Sequence, residues 1–172
     1  QQPGGFRLPN GASERVWHTS SGKAQFLVME GINEDPRSLK CHDLVLTTLR
    51  SHDQYNTTLY GLDDRYRGIK GRRDVLFISE NEAEKNGVRM GDRVNVIALD
   101  PDGNPTHRRI DNLTIAVHDM AEGSVAAYYP EANVLIPLDS YDTKSGIPSY
   151  KSTPVMMELA QTEAPADGAT RR

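Results

Sequence analysis

One cysteine, Cys41, stands among the 172 residues. A single thiol excludes an intrachain disulfide and any zinc or iron–sulfur site built from cysteines alone. Long apolar runs are missing too, since none approaches the roughly 20 residues that span a bilayer. The opening Gln1-Gln2-Pro3-Gly4-Gly5 lacks the basic-then-apolar pattern of a secretory signal. These absences point to a chain with no membrane segment and a lean towards the cytoplasm. No methionine opens the chain, which fits a piece of a longer protein or a processed one. An excess of positive charge is also missing: the net charge is -4. Domains that bind nucleic acid are normally basic, so nucleic acid is not the expected partner. What is present, 37% hydrophobic and 26% charged residues, suits one globular domain rather than a disordered chain.

Residues 1–24 are rich in Gly, Ser, Pro and Asn and read as a linker or extended arm. The Ala, Pro, Gly and charged tail, 161–172, reads as disordered. The domain proper is then 25–160. Strand signals dominate it: Ala24–Met29, Asp43–Thr48, Val75–Ser79, Arg93–Leu99, His107–Val117 and Ser124–Tyr129, with further apolar runs at Asn133–Pro137 and Val155–Leu159. A short helix is expected over Glu80–Lys85, with Ser79 as N-cap, Glu82 at capping-box spacing and Asn86-Gly87 as the stop. Asp100-Pro101-Asp102-Gly103-Asn104-Pro105 predicts a hairpin turn. At least six short strands with one or two short helices predict a mainly β fold, a closed or nearly closed barrel.

Three segments hold residue types that suit chemistry. In Leu46–Thr58 a buried strand runs into Thr, Arg, Ser, His, Gln and Asn, a supply of hydrogen-bond donors for a phosphate or polar heterocycle, or simply a polar loop. Ser51-His52-Asp53 has the letters of a hydrolase triad, but neighbouring side chains on an extended segment point to opposite faces and form no relay. Cys41-His42 is likewise no metal site, because zinc needs three or four converging ligands. The basic run Arg65–Arg73 reads as a phosphate or single-strand binder or as a solvated loop. In Tyr128–Asn133 and Ser145–Lys151, proline and glycine fix the backbone around Glu131, Asn133, Tyr150 and Lys151. Carboxylate and amide groups match the edges of a guanine-like or pterin ring, and equally make turns.

Taken in order, Trp17–Phe26, Thr47–Thr58, Val75–Ile78, Gly87–Val94, Gly123–Leu135 and Pro148–Lys151 resemble the C-terminal, molybdopterin guanine dinucleotide-binding domain of the dimethyl sulfoxide reductase family of molybdopterin oxidoreductases. The likeness covers about residues 17–160. The wording Arg50-Ser51-His52-Asp53-Gln54-Tyr55-Asn56-Thr57 is most similar to formate-dehydrogenase-like alpha subunits. The resemblance implies a six-stranded double-psi β-barrel that covers a bis-molybdopterin guanine dinucleotide carrying molybdenum or tungsten. It implies that the metal's protein ligand and any iron–sulfur cluster belong to N-terminal domains of the same parent chain. Those domains and the dinucleotide are then the partners, and the isolated chain is not active. The residues it marks for the cofactor are Thr47, Thr48, Arg50, Ser51, His52, Gln54, Asn56 and Thr57 in the first loop, Asn133 after the Pro-Glu pair, and Tyr150 and Lys151 in the late loop. No catalytic residue and no metal ligand is marked. Two rival readings stay open: a barrel that binds protein or nucleic acid without a redox role, and a decarboxylase that cleaves itself at Gly123-Ser124.

Overall fold

The computed structural model describes residues 3–26, 44–55, 59–143 and 145–161. The chain divides into two compact units, Gln1–Asp35 and Pro36–Arg172. In the first, α1 spans Gly11–Glu14, capped by Asn10, whose side chain accepts from the Ala12 and Ser13 amides, and closed by Arg15 in the left-handed region. Ala24–Phe26 carry no regular structure and Phe26 is exposed, so the described part of the strand expected at Ala24–Met29 is not one. Residues 27–29, Cys41-His42 and the tail beyond Gln161 lie outside the described residues.

The second unit holds eight strands and one α-helix among the described residues: β1 Leu44–Leu49, β2 Asp63–Asp64, β3 Ile69–Lys70, β4 Val75–Ile78, α2 Glu80–Lys85, β5 Arg93–Leu99, β6 Pro105–Val117, β7 Ser124–Tyr128 and β8 Thr153–Leu159. Six of the strands close a barrel in the order β1-β7-β4-β6-β5-β8. The pairs β1–β7 and β4–β6 are parallel, and the other four contacts are antiparallel. The mainly β expectation thus holds, with closure that removes the free sheet edges.

The two-residue period of a strand decides which side chains fill this barrel. Leu44 and Leu46 of β1, Leu76 and Ile78 of β4, Val94 and Val96 of β5, Leu113 and Ile115 of β6, Val125 and Ala127 of β7 and Val155 of β8 form one buried cluster. All six barrel strands contribute, so this cluster is the barrel's interior. The alternate residues Val75, Phe77, Ala116, Ala126 and Tyr128 form a second cluster, with Leu49, Ile69 and Met120 packed on it. β4 is therefore apolar throughout because it is buried on both faces.

The helix forms where the sequence places it. Ser79 Oγ accepts from the Glu82 amide at 3.2 Å. Glu82 does not complete a reciprocal box; its Oε1 accepts from the Gly123 amide at 3.2 Å and ties α2 to the turn before β7. The β5–β6 hairpin closes through Asp100, whose Oδ1 accepts from the amides of Asp102 and Asn104. The apolar run at Asn133 differs from a strand: Glu131–Leu135 is a 3₁₀ turn following a cis Tyr129-Pro130 bond. Ala132 and Leu135, three apart, are its buried residues, and that spacing places them on one face of a three-residue turn.

Candidate functional site

Three segments meet where β1 ends. The Tyr129 amide donates to the Leu49 carbonyl at 2.8 Å, and the Thr48 amide donates to the Tyr150 carbonyl at 3.2 Å. Thr47 Oγ1 donates to the Lys151 carbonyl at 2.6 Å, and Lys151 Nζ donates to the Thr48 carbonyl. The end of β1, the residue after β7 and the stretch before β8 are thereby stitched together. Between them lies a cleft of about 540 Å³ lined by Thr48, Leu49, Arg50, Arg67, Tyr129, Tyr150 and Lys151.

The charge in this cleft is unbalanced. Arg67 is matched, with Nη1 2.7 Å from Asp64 Oδ2, and it also donates to the Arg50 carbonyl at 3.2 Å. Among the described residues no carboxylate pairs with Arg50 or Lys151. Burial, then the Arg50 charge, pulls the Lys151 ammonium below the ordinary lysine value. An ammonium has three donors, and the Thr48 carbonyl takes one. Two neighbouring cations with spare donors and no counter-ion form a receptor for an anion, because an anion relieves their mutual repulsion as it binds.

Behind the cleft lies a polar network. Arg73 is 7% exposed. Its Nε donates to Glu131 Oε1 at 2.6 Å, Nη1 to Ser51 Oγ at 2.6 Å, and Nη2 to the Tyr129 carbonyl at 2.8 Å and to Gln54 Oε1 at 3.2 Å. The guanidinium lies 3.9 Å from the Tyr60 ring centre and 4.7 Å from that of Tyr128. Gln54 also accepts from the Ser51 amide and donates to the Tyr129 carbonyl at 2.7 Å. Below it, Asp64 is 2% exposed and accepts from the Tyr128 hydroxyl at 2.7 Å, while its Oδ1 has no partner. Burial alone would raise the Asp64 carboxyl, but the bonds from Tyr128 and Arg67 outweigh it and hold it below the usual range.

The residues marked from the sequence therefore fall into distinct places. Thr48, Arg50, Tyr150 and Lys151 line the cleft, and Thr47 braces it. Ser51 and Gln54 are buried and bonded to protein partners. His52 stacks edge-on against Tyr66 with ring centres 4.3 Å apart, beside Arg65 and Asp53. Asn133 sits exposed on the 3₁₀ turn, and Asn56 and Thr57 lie outside the described residues. Glu131, considered beside Asn133 for a heterocycle, is committed to Arg73. His52 does reach Asp53, at 3.2 Å, where Asp53 takes a positive φ. The Ser51 hydroxyl faces Arg73 and Gln54 instead, so the three make no relay.

Three lining residues, Leu49, Arg67 and Tyr129, were not among those marked. Arg67 stands inside the basic run, and its signal was Asp64, three residues earlier. That run is neutralised by carboxylates outside it: Arg65 meets Asp53, Arg67 meets Asp64, Arg72 meets Asp74 and Arg73 meets Glu131. A phosphate-tracking stripe needs free cations, and this one has spent most of its charge. A second hollow of about 720 Å³ lies among the β5–β6 hairpin and residues 137–140 and 149–154. It mixes His107 and Arg108 with Asp100 and Asp139, so it lacks the one-sided charge of the first. Among the described residues no group of three or more His, Cys, Asp and Glu converges as a metal site, and no helix is long and apolar enough to cross a membrane.

Residues 44–154, from β1 to the start of β8 and including both hollows, match the family model described as "Molydopterin dinucleotide binding domain". The chain belongs to that family. It is 53% identical over 158 residues to Protein YdeP of Escherichia coli O6:H1, a match covering 92% of this chain and 21% of that protein. It is 44% identical over 161 residues to the uncharacterized oxidoreductase Mb2924c of Mycobacterium bovis, covering 91% of this chain and 20% of that protein. The chain thus spans about a fifth of the length of these relatives. Among solved structures, acetylene hydratase from Pelobacter acetylenicus superposes with a TM-score of 0.50 at 18% identity, over 73% of this chain and 19% of that one. At that identity the likeness shows the fold.

Proposed function

We propose that this chain is the cofactor-covering domain of a larger molybdopterin oxidoreductase, and that the Arg50–Lys151 cleft receives the anionic part of a molybdopterin guanine dinucleotide. One observation carries the reading: two cations without carboxylate partners are gathered at one cleft by three separate chain segments. The donor set fits the group. Arg50 and Lys151 match phosphate oxygens, and Tyr129 and Tyr150 beside them match a flat heterocycle. When bound, the cofactor supplies the two-electron chemistry of the oxidoreductase. The residues here bind and orient it, and through their charges they shape the electrostatics around it. Thr47 and Thr48 hold the cleft walls, and Ser51 and Gln54 act from behind them.

The finer parts of the reading follow from the family resemblance. The barrel's two parallel pairs, β1–β7 and β4–β6, support a double-psi path for the barrel strands, and 25–160 are the bounds of the domain in this reading. The parent carries two dinucleotides on molybdenum or tungsten, with the metal's protein ligand and any iron–sulfur cluster in its N-terminal domains. It works in the cytoplasm, and formate is the first substrate to try. His52, Asn56, Thr57 and Asn133 belong to the cofactor surface in this reading and touch it when the parent's other domains are present.

The test is made on the parent at full length, purified and assayed for metal and released guanine nucleotide. Molybdenum or tungsten together with guanine nucleotide is expected. A parent with neither sinks the redox assignment and brings forward a barrel that binds a macromolecule.

A further inference from the structure

Arg73 does not line the cleft, yet it is the most heavily bonded cation among the described residues. Its guanidinium reaches Ser51 and Gln54 from the loop after β1, and Tyr129 and Glu131 from the segment after β7. Tyr60 and Tyr128 close on it at 3.9 and 4.7 Å. Ser51 follows Arg50 in the chain, and Tyr129 lines the cleft. A planar fork with five donors can fix two segments at once, and a lysine's single ammonium cannot hold the same angles.

We propose that Arg73 is a positioning residue for the anion cleft: clamped between Ser51, Gln54, the Tyr129 carbonyl and Glu131, it sets Arg50 beside Lys151 without touching the ligand. The proposal rests on the reading that this cleft binds an anion. It differs from a mere stabilising role in one respect. A residue that only holds the barrel together weakens the fold everywhere, and its effect on binding is independent of Arg50. A residue that acts through Arg50 loses its effect once Arg50 is gone, because the energies of coupled sites do not add.

The experiment uses the full chain, with inorganic pyrophosphate as the probe, titrated by calorimetry at low salt where surface charge is least screened. Four proteins make a cycle: the native chain, Arg73→Met, Arg50→Gln and the double variant, each checked for folding by circular dichroism and thermal midpoint. Arg73→Met is expected to bind pyrophosphate about tenfold more weakly, the scale of one charge-assisted hydrogen bond. In the Arg50→Gln background the same change is expected to have almost no effect. Lys151 supplies a second readout: once Arg50 is displaced, its ammonium titrates nearer the ordinary lysine value in Arg73→Met, as followed by nitrogen NMR. If Arg73→Met fails to fold, Glu131→Gln loosens the same clamp and enters the cycle in its place, with a smaller loss of the same sign.

Equal losses in both backgrounds would overturn the positioning role and leave the anion cleft standing. Unchanged binding in Arg73→Met or Glu131→Gln would do the same. A native chain that binds no pyrophosphate, with Arg50→Gln and Lys151→Gln indistinguishable from it, would overturn the cleft reading and the proposal with it.

Discussion

Asp64 shows how one buried charge can organise a surface. Its carboxylate holds Arg67 and the Tyr128 hydroxyl at 2.7 Å each, and Arg67 in turn grips the Arg50 carbonyl. Replacing it with leucine strands a half-buried guanidinium and a buried phenol. Asp64→Leu is expected to cost about 3 kcal/mol, because breaking a buried pair leaves an uncompensated charge; urea unfolding measures it. The pH dependence follows from the same bonds. Bonds to Arg72 and then Arg93 outweigh burial and hold Asp74 well below the carboxylate range, as Tyr128 and Arg67 do for Asp64. Both folded values lie below the unfolded one, so their stabilisation is complete above about pH 4 and is lost as pH falls through the folded values. The urea midpoint is expected to be flat from pH 7 to 5 and to drop below 4, by less in Asp64→Leu. Little of this was readable beforehand. The basic run shows four arginines in a row of nine residues, but their carboxylates include Asp53 and Glu131, which only the fold brings near.

β4 and α2 were the most legible parts of the chain. Val75–Ser79 reads as a strand, and Val75–Ile78 is one, buried on both faces. Ser79 and Glu80–Lys85 carry their own start and stop, and the helix has those bounds. Local signals sufficed because local hydrogen bonds decide them. Ser79→Ala is expected to cost about 1 kcal/mol, the usual loss of an N-cap. Leu76→Ala, inside the barrel, should cost about 3 kcal/mol through the cavity it leaves. Leu159→Ala, at the exposed end of β8, is expected to stay within about 0.5 kcal/mol. Thermal or urea unfolding of the three variants checks the order. The 3₁₀ turn was less legible. Its apolar residues recur every three positions only once Pro130 has set the turn, and a run of Ala, Val, Leu and Ile suits a strand equally well.

The barrel's closure explains why the cleft stands where it does. β1 and β7 run parallel and end together at Leu49 and Tyr128. β8 runs antiparallel to β1, pairing Thr153 with Leu46, so the residues before it arrive at the same place. Residues far apart in the chain, near 50, 129 and 150, thus share one rim. Polar, glycine- and proline-flanked segments were visible in the sequence at each of these places, but their convergence is a property of strand order, and no periodicity encodes strand order. The same convergence separates residues that looked equivalent. Arg50 ends at the cleft with no carboxylate partner among the described residues, while Ser51, next to it, is turned inward to Arg73.

The central claim is that Arg50 and Lys151 hold the anionic part of a molybdopterin dinucleotide. It is tested most directly in the full-length parent, comparing guanine nucleotide released per chain from the native protein and from the Arg50→Gln/Lys151→Gln double variant. The native parent should release guanine nucleotide. The folded double variant should release several-fold less after washing at moderate salt, since each lost charge-assisted bond is worth about tenfold in affinity. Equal nucleotide content in the two proteins would contradict the assignment of this cleft.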